Sequence, residues 1–571
     1  MKEINNRIEF LASKLSNPNP DDKMKEPSAP PATPVPTRRG FMKYAVAGVV
    51  VAAVAVGAGY YYYSSQSSSN GKPNTVTIAW PYQITDLHPY RLNNNGIQES
   101  PLDSIYERFM LQDRSLNFNP GVVTGYTWGP NPTTTPVLNL TVRNDVKFHD
   151  GTALTADDIG FSMMTAATST YAYGGVWGII KEPYVVNSST SLTLNLNHYD
   201  PAFPVWFGFL DAFIIPKAYY TGLGADEASR AAAFAAAPVS CGPYKFVSHQ
   251  NGVLKLQADP NYWQGAAPIT NVIFKEVTDA SSRASEVQSG TSDITQSIDA
   301  TVFNGLNSSS IKKQSGSVSA VTCWFVSPYF PAFKDLEVRQ ALNLAIDRNS
   351  LVTNVLGGIG QADYMPEEPG YKSFDAGFST QFNLSQAQSL LSSKGYNSSN
   401  KLSLPVYVTN GGSAGDYNIG QACKQMWENT NAITVDLRTM TQAQYFQYRD
   451  SGTDAALLYN DWSNSSGDPE NDIGFMLWPN SPFCMWTGMK ASKKTDVTGL
   501  ESTASSMIDP LFMGTDNTQR YAAGKAAAEW AVTNGMLIPL FQEYVPIIQK
   551  SNLSFTPWPQ GWMRPYSMSW S

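Results

Sequence analysis

Gly411-Gly412-Ser413-Ala414-Gly415 fits the Gly-x-Ser-x-Gly pattern that presents a nucleophilic serine between a strand and a helix. Such a serine needs a histidine later in the chain to take its proton. The last of the four histidines is His249, so the pattern reads as a flexible glycine turn. Ser309-Ser310-Ile311-Lys312 fits Ser-x-x-Lys, but no Ser-Asp-Asn or Lys-Thr-Gly partner follows. His149 stands in an exposed turn beside Asp150 and Gly151, where a structural role is expected. There is no Walker loop and no His-Glu-x-x-His. Cys241, Cys323, Cys423 and Cys484 are 82, 100 and 61 residues apart, which matches no zinc spacing and no redox pair. Carboxylates are numerous enough for a glycosidase pair, but no motif supports one. These residues point away from an enzyme, and no cofactor or metal is expected.

The elements that would position any site come from a chain of 571 residues, 42% hydrophobic, long enough for three to four domain-sized units. Charged residues make up 15%, against roughly 25% in ordinary soluble chains. The net charge of −8 supplies no basic field, which excludes a nucleic-acid partner. Alternation predicts strands at Thr75 to Trp80, Val137 to Val142, Ser191 to Leu196, Gly252 to Gln257, Leu402 to Val408 and Thr434 to Leu437. Thr155-Ala156-Asp157-Asp158 reads as a capped helix start. Helices are also predicted over Leu336 to Asn354, Tyr417 to Asn429 and 518–534. This mixed order without a repeat indicates a large α/β protein.

Residues 1–36 are polar and proline-rich and are expected to be disordered. Thr37-Arg38-Arg39-Gly40-Phe41-Met42-Lys43 resembles the twin-arginine export signal, with Met42 in place of leucine. Twenty uncharged residues follow, Tyr44 to Tyr63, enough helix to span about 30 Å of bilayer. The flanking Arg38, Arg39 and Lys43 would stay cytoplasmic. The expectation is a cytoplasmic tail over 1–43, a transmembrane or signal segment over 44–63, a linker over 64–74, and an ectodomain over 75–571 at the outer face of the cell membrane. Retention as an anchor is favoured over cleavage. Arg39-Gly40-Phe41 also resembles the cleavage site of archaeal pilin-type signals, which points to an archaeal source. Seven sequons begin at Asn139, Asn187, Asn307, Asn383, Asn397, Asn464 and Asn552, so export would permit glycosylation.

Five stretches of the ectodomain resemble one family in that family's order. Leu138 to Met163 contains Lys147-Phe148-His149-Asp150-Gly151 leading into the capped helix. Cys241-Gly242-Pro243-Tyr244 resembles a Gly-Thr-Gly-Pro-Tyr segment, with Cys241 departing from it. Asn261-Tyr262-Trp263, Phe333 to Arg348, and Trp462 to Asn471 supply the other matches. The chain is thereby identified as resembling solute-binding protein family 5, which includes oligopeptide- and dipeptide-binding proteins of ABC importers. The resemblance implies a two-lobed α/β flytrap of periplasmic-binding-protein type with an inserted subdomain. Lobe one is expected over about 75–118, 240–322 and 541–571, the insertion over 119–239 and lobe two over 323–540. Hinges are expected near Cys241 to Tyr244 and Ala320 to Trp324. The resemblance further implies a monomer that hands its ligand to membrane permease subunits.

In peptide-binding relatives, the first Asp of a Trp-x-x-Asp-x-x-Asp-Pro loop receives the peptide's α-amine. Here Trp462-Ser463-Asn464-Ser465-Ser466-Gly467-Asp468-Pro469 puts Ser465 at that place and Asp468 at the second, mainly structural one. A buried ammonium needs a charged partner, and Asp461 could substitute only from the opposite face of an extended segment. Aromatic residues are abundant, with 14 Trp and 29 Tyr. Aromatic rings can stack on pyranose faces. Tyr82, Trp177, Trp324, Trp462 and Trp478, with Asn464, Ser465, Asp461 and Asp468, form the expected ligand set. The balance favours a small oligosaccharide, with an oligopeptide as the alternative and a glycosylated surface structural protein as a remoter one.

Overall fold

The computed structural model describes residues 73–571 apart from 92–98, 170–173, 210–211, 410–415, 442–443, 446, 449–453, 464–465, 480, 482–483, 485 and 487–493. The expected tail, membrane run and most of the linker lie outside the described residues, as does the 411–415 glycine turn. Among the described residues no helix is long and apolar enough to cross a membrane.

One sheet runs through the molecule. Its strands stand in the order Ile433–Met440, Leu402–Thr409, Leu457–Ser463, Ile311–Val326, Leu537–Lys550, Ile294–Gln296, Thr75–Trp80, Asn271–Glu276, Val253–Ala258 and Tyr244–Gln250. The two long central strands, 16 and 14 residues, pair antiparallel from Ile311 opposite Lys550 to Phe325 opposite Leu537. Each contributes to both halves of the molecule. Val318 and Ala320 enter the core of the first lobe, whereas Trp324 and Val326 enter a core of the second. Cys323 and Phe325 face a third core on the opposite side of the sheet, as the two-residue period of a strand requires. The pairing slips between Ser317 and Val321 and again between Thr322 and Cys323. Such irregularities bend a strand and raise its local twist, and here they fall where the strands pass from lobe to lobe.

The expected hinge at Cys241 to Tyr244 is corrected by the packing. Cys241 and Tyr244 are buried in one and the same core, and a Cβ on Gly242 would lie 2.4 Å from the Ile105 carbonyl oxygen. That glycine allows two backbones of one lobe to touch. It does not join two lobes.

A separate antiparallel sheet has the order Val123–Trp128, Val137–Val142, Ser191–Leu196, Ile180–Ser188. Leu138, Leu140 and Val142 alternate inward, and the sheet shares the core of the first lobe. Against it packs the helix Ala156–Thr168. The Asp158 carboxylate accepts from the Thr155 amide at 2.9 Å and from the Thr155 hydroxyl at 2.8 Å, and its other oxygen accepts from the Lys217 amide at 3.0 Å. His149 is half-buried, with its ring nitrogens against the Gly242 carbonyl and the Ser240 amide, where the exposed turn had been expected. The four cysteines are buried.

Candidate functional site

The lobes meet where the loop after Leu457–Ser463 reaches the first lobe. Gln112 donates to the Ser466 carbonyl at 3.4 Å, and Lys372 donates to Asn117 at 2.5 Å. Gly467, at φ +73°, brings its backbone so close to Leu116 that a Cβ there would lie 2.9 Å from the leucine Cβ. Left-handed backbone of this kind is open to glycine at little cost.

Asp468, aligned with the family's mainly structural Asp and included in the expected ligand set, is committed inside this junction. Arg520 holds it with two bonds, at 2.9 and 3.2 Å, and also reaches Glu470 at 3.5 Å, with all three side chains buried. A bidentate guanidinium–carboxylate pair of this geometry fixes the loop to the helix Asn517–Thr533. The aromatic expectations divide. Trp177 packs among Phe109, Phe203 and Phe207, Trp324 against Trp427 and Tyr459, and Trp478 stacks on Phe512 with ring centroids 4.3 Å apart. All three are buried core residues. The hydrophobic area of an indole is best satisfied there, and none of the three offers a ring face to a ligand. Asn464, Ser465 and the side chain of Trp462 lie outside the described residues.

Tyr82 and Asp461 remain at the junction. Tyr82 is half-buried, edge-on to Trp80 at 5.7 Å, and Asp461 is exposed on the strand Leu457–Ser463. Between them stands Glu543 of the second long strand, whose carboxyl is pushed up to about 8, first by burial and then by the charges of Asp461 and Asp416. Tyr82 in turn feels burial first, and also Ser297, Glu543 and Arg283. A lobe-one tyrosine and lobe-two carboxylates therefore converge on one crossing strand.

Four further carboxylates, not anticipated from sequence, adjoin this place. Asp363, Glu367 and Glu368 lie in the turn 363–369, and Asp472 precedes the short helix Ile473–Leu477. All four are buried. The Glu367 carboxyl accepts from the Ser373 hydroxyl, and Glu368 from the Ser317 hydroxyl of the first long strand, each at 2.6 Å. Asp363 accepts from the amides of Tyr364 and Met365 at 2.7 and 3.2 Å. Burial pushes Asp363 up to about 6 and Glu367 to about 8, and Asp468 and Asp363 push Glu367 further. Glu368 and Asp472 are raised as well, by burial first and then by neighbouring carboxylates. The flanking prolines of Pro366-Glu367-Glu368-Pro369 were the available signal, since they rule out an ordinary exposed helix face for the glutamates.

Two lobes joined by a pair of long strands, with a polar junction between them, define a two-lobed binding protein of the periplasmic type. Residues 118–480 match the bacterial extracellular solute-binding proteins, family 5 (middle region), and the chain belongs to that family. It is 28% identical over 243 residues to the oligopeptide-binding protein AppA of Bacillus subtilis, covering 40% of this chain and 43% of that one. To heme-binding protein A of Haemophilus influenzae it is 24% identical over 365 residues, covering 59% and 65%. The chain thus spans about half to two thirds of the length of these curated relatives. The solved structure of HbpA2 from Haemophilus parasuis superposes with a TM-score of 0.75 at 20% identity, covering 87% of this chain and all of that one.

Proposed function

We propose that the protein is the extracytoplasmic solute-binding receptor of an ABC importer, and that it captures a small oligopeptide between its lobes for delivery to the membrane permease. It binds and releases without turning its ligand over. The observation that carries this reading is the junction itself: polar and acidic side chains from both lobes lie beside the long strands that pass from lobe to lobe and would bend as the lobes part. Family membership supports the transport role, and the name of the Bacillus relative supports a peptide. The oligosaccharide expectation loses support, because Trp177, Trp324 and Trp478 are occupied in cores. A heme, with its two anionic propionates, is disfavoured by the surplus of carboxylates.

Thermal unfolding of the full chain against di- to pentapeptides, malto-oligosaccharides and heme tests this. A specific peptide should stabilise it by RT ln(1 + [L]/Kd), about 2.7 kcal/mol at a hundredfold excess over Kd. Stabilisation by sugars or heme, with none by peptides, would transfer the assignment to those ligands.

A further inference from the structure

We propose that Leu116 latches the two lobes together, and that its seat against Gly370 and Gly467 sets how tightly the ligand is held. The effect on the ligand rests on the reading of the protein as a two-lobed receptor; the latch itself does not.

Leu116 is 1% exposed, yet it belongs to none of the hydrophobic cores formed by the described residues. Its backbone stands at φ +58°. In a bulky residue such a left-handed conformation is an outlier, kept only where the surroundings impose it. Here the surroundings are the tip of a hairpin of lobe one, between the strands Leu111–Gln112 and Phe118–Asn119. The Asp113 carboxylate accepts from the amides of Ser115 and Asn117 at 2.8 and 2.9 Å, and the Leu116 amide donates to the Asp113 carbonyl at 3.1 Å. Arg114 donates to the carbonyls of Thr556 and Pro557 at 3.1 and 3.3 Å, and its guanidinium lies over the Trp558 ring. The tip is thus fixed by its own lobe, and it carries the leucine across to the other.

The seat in lobe two is made of backbone. Gly467 stands at φ +73° and Gly370 at φ +106°. A Cβ on Gly467 would meet the Leu116 Cβ at 2.9 Å, and one on Gly370 would lie 3.4 Å from the Leu116 Cδ1 and 3.5 Å from its Cγ. The Lys372 amide donates to the Gly467 carbonyl at 3.0 Å, which joins the two glycine segments. The Lys372 ammonium reaches back to Asn117 of the hairpin. One residue past Gly467, Asp468 is paired with Arg520, so the seat is tied to the helix Asn517–Thr533.

When the lobes part, the Leu116 side chain passes from a dry contact into water, and its hydrophobic gain is lost. The contact therefore favours the closed arrangement. A ligand enclosed between the lobes is held by that arrangement, and its apparent affinity scales with the fraction of chains that adopt it. Leu116 is in this sense a positioning residue: it acts on affinity through the lobes and touches no ligand.

Small-angle scattering of the ligand-free full chain and calorimetry with tri-alanine test this. Glycine and asparagine accept φ +58° at little cost, so Leu116→Gly and Leu116→Asn remove the knob and spare the hairpin. Both should keep the native circular dichroism, enlarge the radius of gyration and weaken tri-alanine about tenfold, roughly half of what burying a leucine is worth. Leu116→Met, which keeps an apolar side chain of similar size, should stay near the native values. Gly467→Ala should also weaken tri-alanine, through the clash with Leu116. Its loss should not add to that of Leu116→Gly in the double variant, because the two residues share one contact. A radius and an affinity both unchanged in Leu116→Gly would overturn the latch, and so would losses that simply add. A radius that grows while tri-alanine binds as before would overturn the link to affinity. Failure of the native chain to bind any peptide would count against the peptide reading alone, and the ligand-free radius would then decide the latch.

Discussion

At the residue scale, the junction holds two kinds of carboxylate. Asp468 and Glu470 have Arg520 as a counter-charge; among the described residues Glu367 and Asp472 form no ion pair. Arg520→Met should therefore lower stability by about 3–5 kcal/mol, read from the urea midpoint, because it leaves two buried carboxylates unpaired. An unchanged midpoint would contradict the packing of that loop. The unpaired group behaves differently with pH. Glu367 titrates near 8 in the folded chain, against an ordinary 4.5, chiefly through burial and then through Asp468 and Asp363, opposed by the Ser373 hydroxyl. Between about pH 4.5 and 8 the folded state holds a proton that the unfolded state has released. The ligand-free protein should lose stability as pH rises through that window. Asp363, at about 6, contributes in the same direction at the lower end. Melting temperatures taken from pH 5 to 8.5 should fall, and Glu367→Gln should flatten the slope. A curve flat in the native chain would refute the assignment.

At the element scale, the helix Ala156–Thr168 depends on its start. The sequence already shows Thr155 followed by Asp157 and Asp158, and the structure reveals that Asp158 does the closing, bonding Thr155 twice and Lys217 once. Asp158→Ala should cost about 2–3 kcal/mol, since hydrogen bonds to a charged acceptor are worth more than neutral ones. Denaturant unfolding checks this, and a loss below about 0.5 kcal/mol would show the cap to be dispensable. Strand positions with clean alternation, such as Val137–Val142, were legible because one face is buried and the other wet. The long strands were not. Ile311–Val326 begins with lysines and serines and ends in a core, so its period is broken by the passage from one lobe to the other.

At the scale of the whole molecule, the two lobes share the long central strands and, among the described residues, contacts such as Gln112 to Ser466, Lys372 to Asn117, Asn304 to Gly357 and Tyr199 to Gly514. Small-angle scattering should show a smaller radius of gyration with a confirmed ligand than without it. Identical curves would argue against bending at Ser317 to Val321. Export is expected to depend on the N-terminal residues, Arg38 and Arg39 among them. Changing Arg38 and Arg39 to Lys should block it if the twin-arginine route is used, and normal export would favour the general secretory route.

By itself the sequence determined the class of fold, because the five family-like stretches are local: turns, caps and short strands whose residues act on near neighbours. It also left the Gly411 to Gly415 serine pattern without a later histidine, since the last histidine is His249. Tertiary structure alone decided what each candidate side chain touches. Trp177, Trp324 and Trp478 read as stacking platforms in one dimension and are core residues in three, because burial depends on distant partners such as Phe203, Trp427 and Phe512. The mainly structural place of Asp468 is filled by its pairing with Arg520, 52 residues away. Glu367 and Asp472 come to notice because folding brings carboxylates more than a hundred residues apart into each other's field, both buried.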